Sequence, residues 1–431
     1  MPVPLVRPCA VPLRAPLRRA LSAVGAAALA WAALPAAGQP TTGLDFARAQ
    51  QLALLRAPML AARRAAVDAA SQLRISAGEL PDPKVSAGVD GLPISGPMRW
   101  QIAAEPMTQR SFAWMQDVPN AAKRAARRQG AEARTEREQA LLTMEQLSVQ
   151  RETAGAWLAR WYAEQRLALF TGLEEENRLL RQTLDARVAA GSAMPADATM
   201  ARQEALMLAD RRDELVREQA QAQAALRRWL GDDASLPLAG PPPALAAERA
   251  ALFAGIDRHA DLRAFEPMQR MTQAEVAEAE SMKRGDWAWQ VMYSRRGSSF
   301  GDMVSFQFTF ELPLWSAQRQ DPQIAAKRNE AERIEAERED MVRRRREELD
   351  MQLAELDELM RKAARLREAA VPLATERVAL ALAAYEGNRG DLAGVLAARR
   401  ERAELGLRAL ELDARQQALR ARLNYLIAEQ R

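Results

Sequence analysis

The sequence has few of the side chains that enzymes most often use for chemistry. Its 431 residues include one histidine, His259, and one cysteine, Cys9. A GxxxxGK[ST] phosphate-binding loop is absent as well. His259 lies between Arg258 and Ala260 in a polar stretch, which predicts a position on the surface of a helix. We therefore predict that the chain is not an enzyme and that it holds no cofactor or metal ion.

Long apolar runs are absent after the first forty residues. The first 20 residues carry four arginines and no acidic side chain, an apolar run follows at about 21–34, and Ala36-Ala37-Gly38 comes next. A basic segment, a short apolar run and a pair of small residues are the three parts of a secretory signal. We predict a cleaved signal peptide at 1–38. Because Cys9 precedes the apolar run, we predict no lipid anchor.

The signal accounts for the basic charge of the chain. The sequence has 61 Lys and Arg against 57 Asp and Glu, and removing the four arginines of the signal leaves 57 of each. The mature chain therefore lacks the basic excess that marks nucleic-acid-binding domains. It also lacks thiols, which suits an oxidising compartment.

Two parts of the remaining sequence match each other at a constant offset. Ala201-Arg202-Gln203-Glu204 matches Ala398-Arg399-Arg400-Glu401, 197 residues later. In the same frame, two sets of residues spaced by seven coincide: Leu208, Leu215, Ala222 and Trp229 with Leu405, Leu412, Leu419 and Leu426. A spacing of seven is typical of a coiled-coil seam. We predict two tandem helix–strand–strand–helix–helix repeats, at 39–230 and 249–431, joined by a Pro/Gly-rich linker at 231–248.

Each repeat contains one helix that is too long for a globular domain. Charged and alanine-rich sequence predicts helices at about 121–190 and 323–384. At 1.5 Å per residue, the first would be on the order of 100 Å long. Such a helix, apolar only along a narrow seam, must lie beside other helices in a rod or a tube.

Each repeat also contains two segments with the alternating pattern of β-strands. We predict strands at about 84–91 and 110–118, and at about 286–295 and 303–312. The last is the clearest, because apolar residues that we expect to face lipid alternate with polar residues that we expect to face a lumen: Val304, Phe306, Phe308 and Phe310 against Ser305, Gln307 and Thr309. Strands of nine or ten residues are long enough to cross a bilayer when tilted.

Four strands are too few for a membrane channel. Bacterial barrels have at least eight strands, and lipid does not tolerate an open sheet edge. If these strands cross a membrane, several copies of the chain must complete the sheet. The same pattern in any one strand also fits a half-buried strand of a soluble sheet.

Several passages resemble one known family. They are Lys123-Arg124 after the first strand pair, the strand-to-helix passage Phe310-Glu311-Leu312-Pro313-Leu314-Trp315, Asp321-Pro322, the segment 384–392, and Asn424-Tyr425-Leu426-Ile427. In this order, and in a duplicated chain, they resemble the TolC-like outer-membrane efflux channels (outer membrane factors). Within that family they look most like the CzcC-like branch, which works with heavy-metal pumps of the resistance–nodulation–division (RND) class.

The resemblance implies an architecture and a set of partners. The fold would be mainly α with a transmembrane β-barrel, and a homotrimer would form one 12-stranded barrel in the outer membrane of a Gram-negative bacterium. A long α-helical tunnel would continue through the periplasm to a periplasmic adaptor (membrane fusion) protein and an inner-membrane pump of the RND type. The channel itself would be a passive exit duct for metal cations or small toxic molecules.

The resemblance also places adaptor docking at two breaks between helices. The docking residues would be Gly191, Ser192, Gly387, Asn388, Arg389 and Gly390. We expect the three glycines to allow tight turns with positive φ. Ordinary interhelical turns would have the same glycines.

A periplasmic gate is expected beside these breaks. Better-known members of the family narrow the entrance with aspartates, but the matching positions here are Gly394 and Ala397. Asp197 and Asp391 are the carboxylates available nearby. Three symmetry-related copies of either would form a ring that favours cations.

Two other functions fit the same patterns. One is a channel of the same fold that exports polypeptides with an ATP-driven transporter, and the other is a soluble periplasmic coiled-coil scaffold. The 17 methionines, which include Met292 and Met303 on paired strands and Met268 and Met271 at helical spacing, leave a further question open. Thioethers bind soft metals such as Cu(I), but methionine also fills cores, and a pore that held its ion tightly would conduct badly.

Overall fold

The computed structural model describes residues 43–427 except Ala104, Ser298 and Asn388. The predicted signal peptide at 1–38 and the predicted docking residue Asn388 lie outside the described residues.

The same order of elements occurs twice along the chain. The first half contains α1 (Phe46–Arg56), α2 (Pro58–Ser76), β1 (Lys84–Asp90), β2 (Gln109–Val118), α3 (Ala121–Ala189) and α4 (Pro195–Leu230). The second half contains α5 (Arg249–Ala254), α6 (Ala260–Arg263), α7 (Phe265–Ser281), β3 (Trp287–Arg295), β4 (Met303–Phe310), α8 (Gln320–Arg365), α9 (Val371–Glu386) and α10 (Leu392–Asn424). The first residues of α4 and α10 are 197 apart, which is the offset at which the two sequences match.

Local sequence sets the ends of the long helices. Asn120 caps α3, because its side-chain oxygen accepts a hydrogen bond from the Lys123 N–H at 2.9 Å. Pro195 begins α4, where its missing N–H is not needed. Asp391 caps α10 by accepting a hydrogen bond from the Gly394 N–H at 2.8 Å. In the part of the chain that the structure describes, no helix is both long and apolar enough to cross a membrane.

The second long helix is interrupted, contrary to the continuous helix expected at about 323–384. α8 ends at Arg365, a π-helical segment follows at Leu366–Ala370, and α9 begins at Val371. Pro372 explains the interruption. Proline has no N–H to donate and its ring collides with the carbonyl four residues earlier, so the wider π turn accommodates it.

The helices form two rows that share α3. Near the strands the neighbour order is α2, α3, α7 and α8, and farther along it is α4, α3, α10 and α9. The largest core lies where α1, α3 and the ends of α4 and α10 meet. There Trp157 is fully buried and its indole N–H donates to the Leu44 carbonyl at 3.2 Å.

The four strands form one antiparallel sheet in the order β1-β2-β3-β4. The central pair joins the two halves of the chain, since Trp114 on β2 lies opposite Val291 on β3. Among the described residues, the outer edges of β1 and β4 have no strand partner. Both edges are therefore available to strands of another chain.

His259 is buried, which corrects its predicted surface position. It is 6% exposed, and its Nδ1 accepts a hydrogen bond from the Asp261 N–H at 3.3 Å at the start of α6. Burial lowers the pKa of His259. The polar sequence around it was misleading because α6 is a single turn packed against longer helices, where polar neighbours do not indicate an exposed face.

A partly buried ion pair ties the strands to the long helices. Asp286, which immediately precedes β3, accepts hydrogen bonds from Lys123 Nζ at 2.7 Å and from the Asn120 backbone and side chain at 2.9 and 3.0 Å. Partial burial alone would raise the pKa of Asp286, but the bonds from Lys123 and Asn120 lower it below its ordinary value of 3.8. The ion pair therefore stabilises the folded state while the carboxylate is ionised.

We expect Asp286→Asn to show this stabilisation as a dependence on pH. Because the pKa of Asp286 is lower in the folded state, its carboxylate stabilises the fold above pH 3.8. This stabilisation is lost as the pH falls through the pKa of the folded state. At neutral pH the variant should lose about 1.5–3 kcal/mol, the range for hydrogen bonds to charged groups. Unfolding in denaturant at a series of pH values measures the difference. A difference that stays constant down to well below pH 3.8 would contradict the assignment.

Candidate functional site

One face of the sheet is mainly apolar. In the observed register, Phe308 lies opposite Trp289, and Trp114 lies opposite both Val85 and Val291. The apolar residues of this face are Val85, Ala87, Val89, Phe112, Trp114, Val118, Trp287, Trp289, Val291, Tyr293, Val304, Phe306, Phe308 and Phe310. The same face also carries Gln116 opposite Trp289, and Arg110 and Arg295 at the loop end of the sheet. Many are strongly exposed, with Phe306 at 71% and Phe308 at 61%. The four residues predicted to face lipid all lie on this face.

The opposite, polar face carries the residues predicted to face a lumen. Ser305, Gln307 and Thr309 lie there, opposite Met292, Gln290 and Ala288 on β3. The charged residues of this face are Lys84, Asp117 and Asp90: Lys84 pairs with Asp117 at 2.7 Å, and Asp90 accepts a hydrogen bond from the Ser111 hydroxyl at 2.8 Å. A sheet that is mainly apolar on one side and polar on the other can separate lipid from water.

The loop between β3 and β4 matches the spacing of a nucleophile motif, with Gly297, Ser299 and Gly301 at the first, third and fifth positions. In hydrolases that serine lies on a turn from a strand to a helix, next to a histidine. Here the loop joins two antiparallel strands, and the histidine of the chain caps α6 instead. The arrangement does not activate Ser299.

The two helix breaks lie side by side at the far end of the long helices. A cluster of buried residues joins α3, α4, α9 and α10 there: Leu184, Ala201, Leu392, Val395 and Leu396, with Leu382 and Tyr385 packed against them. The structure therefore brings the predicted docking residues Gly191 and Ser192, in the segment 190–194, close to Gly387, Arg389 and Gly390, in the segment 387–391. We call this region the tip.

The glycines of the tip differ in their roles. Gly191 has φ +74°, and Ser192 beyond it donates from its N–H to the Arg187 carbonyl at 2.8 Å, so this turn needs positive φ as predicted. Gly387 has φ −82°, and Gly390 is not in the positive-φ region either, which corrects the expectation for both. Gly390 lies in a close approach, because an added Cβ would lie 3.1 Å from Ala384 Cβ and would push that neighbour by a few tenths of an ångström.

The two predicted gate aspartates are also in different environments. The Asp391 carboxylate accepts from the Gly394 N–H and serves as a helix cap. Asp197, in the first turn of α4, accepts from the Tyr385 hydroxyl of α9 at 3.4 Å, and the Arg187 guanidinium lies 5.7 Å from the centre of the Tyr385 ring. Burial and the Asp197 charge raise the pKa of Tyr385. Its hydroxyl therefore remains a donor at neutral pH.

Ion pairs above the tip join α10 to the first half of the chain. Arg400 donates to both carboxylate oxygens of Glu204, one of them at 3.3 Å, and Glu204 is 5% exposed. Arg402 Nη2 donates to both oxygens of Glu176 on α3 at 2.7 and 2.9 Å. Sequence reasoning did not identify these pairs. The signal was present, since Glu204 and Arg400 lie in the two matched passages, but helix pairing decides which charges meet.

Neither a protein-family model nor the sequence of a curated protein matches the chain. Solved structures do. They include a membrane protein from Pseudomonas aeruginosa (20% identity, covering 88% of this chain and 90% of that chain, TM-score 0.74) and the outer membrane protein VceC from Vibrio cholerae (18%, 88% and 94%, TM-score 0.71). Another is the outer membrane channel MtrE of Neisseria gonorrhoeae in its open state (16%, 88% and 88%, TM-score 0.68).

These likenesses extend over nearly the whole length of each protein. The chain therefore has the fold of outer-membrane channel proteins, mainly helical with a small antiparallel sheet. That part of the predicted fold class is confirmed.

Proposed function

We propose that the chain is a subunit of an outer-membrane channel, the passive exit duct of a tripartite efflux system. The observation that carries this proposal is the sheet, whose apolar face exposes aromatic rings and whose two edges have no strand partner among the described residues. Three copies would close one 12-stranded barrel, with the apolar face toward lipid and the polar face toward the lumen. A cleaved signal peptide at 1–38 would direct export of the chain.

The edges of the helical rows support closure by further copies. On one edge, α2 exposes Met59 (54%) and Leu73 (58%), and α4 exposes Leu206 (70%). On the other edge, α9 exposes Leu373 (62%) and Leu380 (65%), which are seven residues apart. Exposed apolar side chains at heptad spacing on both edges suit coiled-coil contacts between neighbouring copies. The rows would then form a periplasmic tunnel.

The tip is the proposed contact for a periplasmic adaptor, which would connect the channel to an inner-membrane pump of the RND type. The docking residues would be Gly191, Ser192, Gly387, Asn388, Arg389 and Gly390. Asp197 is the proposed gate carboxylate, because the Tyr385 hydroxyl on the other side of the tip donates a hydrogen bond to it. Asp391 would act mainly through the α10 cap. The cargo would be metal cations or small toxic molecules, as in the heavy-metal branch that the sequence resembles.

Fractionation and electrophysiology of the full chain test the channel function. We expect the protein in the outer membrane, as a trimer by light scattering in detergent, and we expect each trimer to add one step of conductance to a planar bilayer. A soluble monomer would support the scaffold alternative instead. If the channel conducts when it is combined with a peptide-export transporter, but not when it is combined with a small-molecule pump, the polypeptide alternative is supported.

Tyr385→Phe should make the proposed gate open more readily. The variant loses the hydrogen bond to Asp197, worth about 0.5–1.5 kcal/mol, which corresponds to roughly a 2- to 12-fold shift toward the open state. Single-channel recording measures the open fraction. Tyr425→Phe is a matched control, because Tyr425 lies at the other end of α10 and its hydroxyl has no hydrogen-bond partner among the described residues. Equal open fractions in both variants would contradict the gate.

A further inference from the structure

Three methionines form a diagonal stripe on the polar face of the sheet. Met115 on β2 lies opposite Gln290 on β3, and Met292 is two residues farther along β3. Met292 in turn lies opposite Ser305 on β4, and Met303 is two residues farther toward the β3–β4 loop. We call these three residues the methionine stripe. It runs from near the helical end of the sheet to its loop end.

The spacing of the stripe brings its thioethers within reach of one another. Diagonal neighbours on adjacent antiparallel strands lie about 7–8 Å apart at Cα, which long side chains can bridge. Met115 and Met292 are half-buried, and Met303 is 40% exposed. Each pair of neighbours can therefore place two sulfur atoms on one small ligand.

Packing alone does not explain the position of these methionines. Methionine most often fills gaps in apolar cores, but these three lie on the polar face, opposite Lys84, Ala113, Gln290, Ser294 and Ser305. The opposite face, where a large apolar side chain would be expected, has phenylalanine, tryptophan and valine instead. Three soft ligands on a polar surface point to a soft cation.

Charged neighbours decide which methionines of the stripe can bind a cation. Lys84 lies opposite Met115, but its charge is neutralised by Asp117. The Arg296 guanidinium donates to Met303 Sδ at 3.3 Å, which disfavours a cation at that sulfur. Met115 and Met292 therefore form the main site, and Met303 extends it toward the loop.

We propose that the methionine stripe is a weak binding site for soft monovalent metal ions, Cu(I) or Ag(I), along the wall of the channel. The inference rests on the proposed channel function and assigns a class of cargo to it. Two thioethers satisfy the preference of these ions for sulfur. Their small number keeps the binding weak, as conduction requires, since an ion must leave each site as readily as it enters. Three copies of the stripe would provide parallel paths.

Silver(I) nitrate in chloride-free buffer is the probe, applied to the purified full-length protein in detergent. X-ray absorption at the silver edge should show sulfur neighbours, and calorimetry should show weak binding to each chain. In Met115→Leu/Met292→Leu, whose side chains have nearly the same volume, the silver–sulfur signal should fall and the affinity should drop about tenfold or more, since even outer-shell changes at metal sites cost 10–100-fold.

Met268→Leu/Met271→Leu is the matched control, because it removes the same number of thioethers from α7 and leaves the sheet unchanged. It should bind silver as the wild type does. Equal losses in the two double variants, or wild-type protein that conducts K⁺ without silver–sulfur contacts, would overturn the stripe while leaving the channel intact. Absence of K⁺ conductance in the wild type would overturn both.

Discussion

Phe308→Arg is expected to prevent the chain from assembling in the outer membrane. Phe308 lies on the apolar face of the edge strand β4, between Phe306 and Phe310 and opposite Trp289. An arginine facing lipid near the bilayer midplane costs about 2–4 kcal/mol in barrels. In a trimer the substitution occurs three times, so the combined effect on assembly should be larger than in a single-chain barrel.

The neighbouring residue provides the control for this prediction. Gln307→Arg places the same side chain one position away, on the polar face. It should leave the amount of trimer unchanged and should alter the conductance and the ion selectivity. The measurement is the fraction of trimer on unheated gels of outer-membrane fractions, together with single-channel recording. Similar assembly of the two variants would show that the faces of the sheet are assigned wrongly.

Arg400→Leu should weaken the contact between α4 and α10 above the tip. The variant leaves the Glu204 carboxylate 5% exposed and without its arginine. Breaking a fully buried pair in this way costs about 3–5 kcal/mol, and we expect about 2–3 kcal/mol here because the Arg400 side chain is 45% exposed. Hydrogen exchange should accelerate in α4 and α10 near the pair and remain unchanged in the strands.

A double variant separates loss of the ion pair from loss of packing. In Glu204→Leu/Arg400→Leu neither charge remains, and replacing both partners of a buried pair with apolar residues is often neutral. We expect exchange in α4 and α10 to return close to the wild-type rate. If the double variant exchanges as fast as Arg400→Leu, then the stabilisation comes from contacts of the arginine stem and the charge is unimportant.

Features that depend on local sequence could be predicted well. The alternation around Phe306 and Phe308 predicts a strand, and β4 occupies that region. The continuous charged sequence after Asn120 predicts one very long helix, and α3 extends from Ala121 to Ala189. Periodicity is a property of neighbouring residues, so one sequence is enough to read it.

Features that depend on distant contacts could not be predicted in the same way. No local pattern predicts that Trp114 lies opposite Val291, or that Arg400 donates a hydrogen bond to Glu204. His259 was misplaced for this reason, since its burial depends on the long helices around it. The π segment had a local signal in Pro372, but whether proline bends, breaks or widens a helix depends on its packing.

The candidate site shows the same division. The family resemblance located the tip at the two helix breaks, and the structure brings both breaks together. The conformational reason was right at Gly191 and wrong at Gly387 and Gly390, because φ depends on the path of the whole turn. The link between Tyr385 and Asp197 joins residues 188 positions apart, which lies beyond the reach of sequence patterns.

The order of the strands has a consequence for biogenesis. β2 pairs with β3, and the paired residues Val118 and Trp287 are separated by about 170 residues of intervening chain. If the chain is exported as proposed, β1 and β2 emerge long before β3, and until then the edge of β2 and its aromatic rings have no partner strand to cover them. Pairing across such a separation is slow, and an open edge invites aggregation. Under the proposed export, the first half would therefore need protection from aggregation until β3 is available to pair with β2.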